Sequence, residues 1–119
     1  MPAEAGGLPV VEVDLGPGVR AGFTTRSGGV SVPPWDALNL GLEVGDAATR
    51  VLANRELVER WVGTRVAFAS QVHGVDVRVL FDPPARSATS IGRYDALVST
   101  SPSVAVAVLV ADCVPVLLA

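Results

Sequence analysis

The stretch VAFASQVHGVDVRVLF, residues 66–81, decides how this chain is organised. Residues 75–79 alternate apolar with polar side chains, which predicts a β-strand with one apolar face. His73-Gly74 interrupts the pattern, and a glycine within a strand often marks a bulge or a close approach of two backbones. The stretch therefore predicts one long strand or a bent pair, with the only histidine of the chain at the interruption.

A helix is predicted before this stretch. Asp46 can cap its start, apolar side chains recur at helical spacing over residues 48–62, and Gly63 can close its end. The charged residues of this helix are expected to form a solvated face, namely Arg50, Arg55, Glu56, Glu59 and Arg60. Residues 46–62 are therefore expected to cover one face of a sheet.

Shorter strands are predicted on both sides of these elements. Residues 10–15 and 19–25 predict two strands joined by a Gly-Pro-Gly turn, a pattern typical of a hairpin. Residues 82–93 are expected to form a surface loop, and strands are predicted at 94–99 and 104–110. The last of these is apolar without alternation, which indicates burial on both faces. The expected fold class is mixed α/β with a largely antiparallel sheet.

Residues 26–46 form a long segment rich in Gly, Pro and Ser. Segments of this length in compact domains are usually functional or disordered, and Trp35 and three leucines favour an ordered loop. At its start, Arg26 lies between hydroxyl residues and a Gly-Gly pair, which together can offer a guanidinium and backbone N–H groups to an anion. A glycine-rich turn with a solvated arginine is the alternative, and the lysine of a Walker phosphate loop is absent.

The composition limits the class of protein. With 119 residues, half of them apolar, the chain is long enough for one domain with a core. Its net charge is −3 and its nine basic residues are arginines spread singly, so no basic patch forms and no nucleic acid partner is expected. The single cysteine excludes an internal disulfide and favours a reducing compartment.

The two ends of the chain carry further expectations. The first residues are acidic where a secretory signal has positive charge, and segment 104–119 is shorter than the roughly 20 residues of a bilayer span. We therefore expect a cytoplasmic protein with no membrane partner. The chain stops on the apolar VPVLLA, so we expect a fragment whose missing part covers the last strand, or self-association through that uncovered strand.

Three residues in the second half of the chain can carry chemistry. His73 and Cys113 offer the nitrogen and sulfur donors that zinc prefers, although their separation in sequence matches no local ligand motif. A surface or structural histidine and a small core thiol are the alternatives. Asp112 lies in the apolar run VAVAVLVADCVPVLL, where a carboxylate is costly unless it is hydrogen-bonded. Asp112 therefore either caps a turn or orients a site.

Six blocks of sequence occur together in the order and approximate spacing of one family: GFTTRSGGVS, PPWDALNLGLEVGD, NRE, SQVHGVDV, YDALVSTSP and VAVAVLVADCVPVLL. From about Ala21 to the last residue, the chain resembles the N-terminal half of the YfiH-type proteins. This family is also named for multicopper polyphenol oxidases or laccase-domain proteins, purine nucleoside phosphorylases and peptidoglycan editing factors. The resemblance implies that residues 1–119 are the N-terminal part of a single YfiH-like domain with a layered α/β/β/α arrangement, the C-terminal half being missing.

The resemblance also implies a zinc centre. Its ligands would be the histidine of the QVHG block, His73, the cysteine of the ADC block, Cys113, and a histidine of an HAGWRG block that this sequence does not contain. Copper, which the family name implies, is the less favoured metal, because one cysteine and one histidine are too few for a multicopper centre.

The implied activity is phosphorolysis of purine nucleosides such as adenosine, inosine and methylthioadenosine, with adenosine deamination beside it. The partners would be a purine nucleoside and phosphate, with Arg26 and Asp112 at the substrate. Asn39 is expected to bind ribose or phosphate, an Asx turn being the alternative. Gln71, two positions before His73 on one strand face, is expected to orient the ligand or substrate.

Two other functions fit the same residues. One is a cysteine hydrolase acting on a peptidoglycan-related or other small substrate, with Cys113 as nucleophile and His73 as base. The other is a non-enzymatic interaction module whose last strand pairs with a partner. The zinc and the hydrolase hypotheses both predict that the His73 and Cys113 side chains converge in the fold.

Overall fold

A computed structural model describes residues 3–5, 8–84, 90–111 and 113–119, with side chains from residue 8 onward. The chain divides into two compact units, Met1–Trp61 with Val116–Ala119, and Val62–Pro115. Strands in sheets together with a helix confirm the mixed α/β class. Within the described ranges, no helix has the length and apolar character needed to cross a membrane.

The first unit begins with an antiparallel sheet of three strands: β1 (Ala3–Ala5), β2 (Leu8–Val13) and β3 (Ala21–Thr24), in the order β1-β2-β3. Val10 pairs with Thr24 and Val13 with Ala21, which confirms the predicted hairpin. The turn depends on glycine because Gly16 and Gly18 have φ angles of 112° and 79°, in the region that disfavours other side chains.

The predicted helix forms as α1 (Ala48–Val62), and Gly63 ends it with a φ of 91°. Its apolar face buries Val51, Val58 and Trp61. Trp61 packs against Gly22 of β3 so closely that a Cβ at that glycine would lie 3.0 Å from the indole ring and 2.6 Å from Val10. The close approach of helix and strand therefore requires a glycine at this position.

Two expectations about this helix are wrong. Arg55 does not belong to a solvated face, since it is 1% exposed and its Nε donates to the Leu40 carbonyl oxygen at 2.8 Å. The bond to a loop carbonyl makes burial tolerable, and burial lowers the pKa of Arg55 to about 10. Asp46 precedes the helix by two residues and accepts the Ala47 N–H at 2.8 Å, so it does not cap the first turn in the usual way.

Within its described residues, the second unit contains five strands: β4 (Arg65–Ser70), β5 (Val77–Leu80), β6 (Ser90–Arg93), β7 (Ala96–Ser99) and β8 (Val104–Ala107). They form a three-stranded sheet, β6-β4-β8, and a two-stranded sheet, β5-β7. All three pairings are parallel, so the predicted predominance of antiparallel pairing is wrong. In the part of this unit that the structure describes, strands consecutive in sequence do not pair with each other, and the paired strands are joined by the longer crossover connections that parallel pairing needs.

The stretch 66–81 forms β4 and β5, which confirms the bent pair among the two predicted alternatives. Two other boundaries in this unit differ from expectation. Strand β6 begins at Ser90, inside the predicted loop 82–93. Strand β8 ends at Ala107, and only Val104 of it is fully buried, because β8 is an edge strand that pairs with β4 alone. The prediction that this strand is buried on both faces is therefore wrong.

Candidate functional site

The candidate site of the second unit is the turn between β4 and β5, residues 71–76, which we call the histidine turn. The link between β6 and β7 donates hydrogen bonds at both ends of this turn. The Tyr94 N–H donates to the Ser70 carbonyl oxygen at 3.1 Å, just before the turn, and the Asp95 N–H to the Asp76 carbonyl oxygen at 3.4 Å, at its end. Because β4 pairs with β6 and β5 with β7, the bend of one strand pair lies against the bend of the other.

The carboxylate of Asp95 binds the backbone of the histidine turn. Oδ1 accepts the N–H groups of Val72 and His73, both at 3.0 Å, and Oδ2 accepts the N–H of Gly74 at 2.6 Å. These bonds lower the pKa of Asp95, the one from the Gly74 N–H most of all. One partly exposed carboxylate thus satisfies three successive backbone donors.

His73 has a φ of 56°, in the left-handed region that few residues other than glycine adopt. Its side chain and that of Gln71 are exposed. The expectation that Gln71 and His73 share one strand face is wrong, because residues 71–76 are not a strand and the left-handed residue breaks the alternation. The histidine turn instead presents the imidazole from a strained backbone that Asp95 holds.

Cys113 lies in the same unit, beyond the end of β8, and its thiol is free and exposed. The alternative of a small core thiol is therefore wrong. Asp112 lies outside the described residues. Among the residues that are described, no group of three or more His, Cys, Asp or Glu side chains could hold a metal ion. His73 and Cys113 have the donor types of a zinc site, and the convergence of their side chains stays a prediction.

Arg26 lies in the first unit, and its guanidinium binds its own loop. Nε donates to the Asp36 carbonyl oxygen and Nη2 to the Pro34 carbonyl oxygen at 3.0 Å. Nη2 also approaches the Asp36 carboxylate at 3.4 Å, in a pair whose arginine side chain is 72% exposed. Such an exposed ion pair is weak, so Asp36 competes little with an added anion. Anion binding by Arg26 stays a prediction.

Asn39 also lies in this loop and forms the Asx turn that was its alternative role. Its Oδ1 accepts the Gly41 N–H at 3.1 Å, and its Nδ2 donates to Oδ2 of Asp46 at 3.1 Å. The same Asp46 oxygen accepts the Ser31 hydroxyl at 2.5 Å. Contact of Asn39 with ribose or phosphate stays a prediction, and any such contact competes with these bonds.

Asn54 of α1 also binds this loop, a role that was not predicted from the sequence. It is fully buried, and its Oδ1 accepts the Val30 N–H at 2.8 Å. Its Nδ2 lies within bonding distance of the carbonyl oxygens of Asn39, at 2.8 Å, and Ala37, at 3.3 Å. Asp95 was missed as well. The available signals were a polar amide on the helix beside the apolar positions, and an acidic residue directly before a strand.

Comparison with known proteins identifies relatives along most of the chain. The family model described as multi-copper polyphenol oxidoreductase laccase matches residues 20–119. A purine nucleoside phosphorylase of Streptomyces coelicolor is 49% identical over 105 residues, which are 86% of this chain and 43% of that protein. The purine nucleoside phosphorylase YfiH of Shigella flexneri is 41% identical over 112 residues, 92% of this chain and 44% of that protein.

Solved structures agree with this assignment. The crystal structure of a DUF152 protein from Neisseria meningitidis matches with a TM-score of 0.75 and 35% identity, over 87% of this chain and 42% of that chain. YlmD from Geobacillus stearothermophilus matches with a TM-score of 0.70 and 34% identity, over 79% and 38%. The chain spans less than half the length of each of these relatives. The match to residues 20–119 includes both His73 and Cys113, and the chain belongs to the multi-copper polyphenol oxidoreductase laccase family.

Proposed function

We propose that this chain contributes His73 and Cys113 to the reacting centre of a purine nucleoside phosphorylase. The relatives named above as purine nucleoside phosphorylases support this reaction class. The observation that carries the proposal for these residues is the exposed imidazole of His73, held on a turn whose backbone the Asp95 carboxylate binds three times. A reacting group must be both accessible and held in one place, and this turn provides both.

The reaction transfers a pentose from a purine base to phosphate. A phosphate oxygen forms a bond to the sugar C1′ while the bond from C1′ to the purine nitrogen breaks, and the base leaves with the electron pair and takes up a proton. Charge develops on the base and on the sugar during this step, so side chains that hold the base and the phosphate in line lower the barrier. We assign Gln71 and Asp112 to substrate orientation, and Arg26 and Asn39 to phosphate and ribose binding.

Zinc is the metal that we propose, with His73 and Cys113 as two of its ligands. The donor types fit, since imidazole nitrogen and thiolate sulfur are the ligands that zinc prefers. The number does not complete a site, because a catalytic zinc uses about three protein ligands and the sequence holds one histidine and one cysteine. A zinc ion bound there would supply the water activation that adenosine deamination at C6 requires. The 119 residues alone are expected to bind zinc weakly and to turn over negligibly.

The test is phosphorolysis of inosine by the full-length gene product. Release of hypoxanthine is measured with and without phosphate. We expect hypoxanthine release that depends on phosphate, and hydrolytic conversion of adenosine to inosine and ammonia in a parallel assay. His73→Ala is expected to lower kcat/KM about 100-fold, as loss of a group acting at the reacting atoms typically does. Zinc content measured on the same samples should fall in His73→Ala and in Cys113→Ser.

Val75→Ala is the matched control, because Val75 lies on the histidine turn with its side chain 93% exposed. We expect it to leave both phosphorolysis and zinc content unchanged. Hypoxanthine release that does not need phosphate would show that the reaction is hydrolysis and not phosphorolysis, with Cys113 as the candidate nucleophile. No release of base from any purine nucleoside would overturn the proposed function altogether.

A further inference from the structure

We infer that Asp95 is a positioning residue for His73: its carboxylate binds the histidine turn and thereby sets the direction in which the imidazole is presented. Asp95 acts through the backbone and is not itself a catalytic residue. The inference rests on the proposed function, in which His73 works at the reacting centre.

The first step of the argument is the match between carboxylate and turn. The N–H groups of Val72, His73 and Gly74 are consecutive and all point to one carboxylate, at 3.0, 3.0 and 2.6 Å. Successive N–H groups converge in this way only when the backbone curls, which is the arrangement that forms anion-binding concavities. Here the protein supplies the anion itself, from a residue 21 to 23 positions away in sequence.

The second step is the backbone of His73. A φ of 56° is unfavourable for a residue with a side chain and persists only where surrounding contacts impose it. The turn is exposed throughout, so packing does not impose it. The three bonds to Asp95 are the contacts that do, and they include the N–H of His73 itself. Without the carboxylate, His73 is expected to relax toward an extended or right-handed backbone, which redirects its side chain.

The third step is the placement of Asp95. Its own N–H donates to the Asp76 carbonyl oxygen at 3.4 Å, and the N–H of the preceding Tyr94 donates to the Ser70 carbonyl oxygen at 3.1 Å. These two bonds join the link between β6 and β7 to both ends of the histidine turn. The carboxylate is therefore held opposite the middle of the turn by the same strand pairing that forms the two sheets.

The test compares Asp95→Ala and Asp95→Asn in the full-length gene product. Alanine removes all three acceptor contacts, whereas asparagine keeps one acceptor oxygen for Val72 and His73 and turns a donor toward the Gly74 N–H. Amide hydrogen exchange at residues 72–74 is expected to accelerate about 10-fold or more in Asp95→Ala and less in Asp95→Asn, since exchange follows local opening. We also expect kcat to fall by up to about 100-fold in Asp95→Ala and by less in Asp95→Asn, since misplacing a reacting group produces an effect of this size.

Asp76→Asn is the matched control. It removes a carboxylate from the end of the same turn while leaving its backbone carbonyl, which accepts the Asp95 N–H, in place. We expect unchanged amide exchange at residues 72–74 and unchanged kcat. If Asp76→Asn lowers kcat as much as Asp95→Asn does, the effect is one of local charge and the positioning role is overturned.

A double variant separates positioning from general loss of structure. If Asp95 acts through His73, adding Asp95→Ala to His73→Ala lowers kcat/KM no further than His73→Ala alone. A further multiplicative loss would overturn the inference. The exchange measurement does not depend on activity, so a wild-type protein without phosphorolysis refutes the proposed function, while unchanged exchange at residues 72–74 in Asp95→Ala refutes the positioning role.

Discussion

Side chains from distant elements bind both the loop of residues 26–46 and the histidine turn of residues 71–76, but their surroundings differ. The loop in the first unit is held by the fully buried amide of Asn54. The turn in the second unit is held by the partly exposed carboxylate of Asp95. Both side chains bind backbone groups that have no strand or helix partner.

The difference between the two side chains follows from solvent access. An amide both donates and accepts, so Asn54 binds an N–H and two carbonyl oxygens and can be buried with its bonds satisfied. A carboxylate only accepts and keeps its charge cheaply at the surface, which suits a turn that presents three N–H groups. The buried Asn54 therefore contributes mainly to stability, whereas the partly exposed Asp95 contributes mainly to the conformation of one turn.

The largest expected difference in stability between the two regions comes from adding a methyl group to one glycine in each. A Cβ at Gly29 would lie 2.3 Å from the Ala37 carbonyl oxygen and 2.6 Å from the Asn54 Oδ1, whereas a Cβ at Gly74 would lie 3.4 Å from the Asp95 carboxylate. Gly29→Ala is therefore expected to lower the free energy of unfolding by about 3 kcal/mol, because buried backbone cannot move aside. Gly74→Ala should change it by less than about 0.5 kcal/mol. Urea unfolding measures both, and similar losses would contradict the comparison.

The next effect in size is the loss of the buried anchor. Asn54→Ala leaves the Val30 N–H and two loop carbonyl oxygens without their side-chain partner in a partly buried place, which is expected to lower the free energy of unfolding by about 2 kcal/mol. Glu56→Ala, two positions along the same helix on its exposed side, is the control and should change it by less than about 0.5 kcal/mol. Thermal unfolding followed by circular dichroism measures both variants. Equal stability of the two would show that the loop does not depend on Asn54.

The smallest effect is a pH dependence in the loop. The hydrogen bond from Ser31 lowers the pKa of Asp46 from its ordinary 3.8, with further contributions from Asn39 and Ala47. Because the folded pKa is below the unfolded one, the carboxylate stabilises the fold above pH 3.8, and this stabilisation is lost as the pH falls through the folded pKa. The Tm difference between wild type and Asp46→Asn is therefore expected to shrink below pH 3.8. A difference that stays constant on acidification would assign the effect of Asp46 to shape rather than charge.

Patterns between near neighbours predicted the local elements. The alternation and the Gly-Pro-Gly turn predicted the β2–β3 hairpin, helical spacing predicted α1, and the glycine after His73 predicted the break in residues 66–81. Each of these depends on residues close in sequence, where backbone geometry converts spacing directly into a shared face. The family resemblance, in turn, pointed to His73 and Cys113, which neither spacing nor composition connects.

Contacts between distant segments were not predictable in this way. Parallel pairing of β4 with β6 and of β5 with β7 joins strands that are not consecutive, and one apolar strand looks like another in a single sequence. Arg55 has the sequence environment of a solvated helix face and is buried because loop residues cover it. Asp95 reaches the histidine turn only through the folded strand pairs, so nothing next to it in sequence indicates its partner.

The sequence distance between Asp95 and the histidine turn also orders events during folding. Closing a loop of this size costs chain entropy that the strand pairs must repay, so the three bonds to the turn cannot persist until β6 and β7 have docked on β4 and β5. A growing chain that has emerged from the ribosome only as far as Leu80 carries the histidine but not its anchor. The imidazole therefore acquires its orientation only when β6 and β7 pair with β4 and β5.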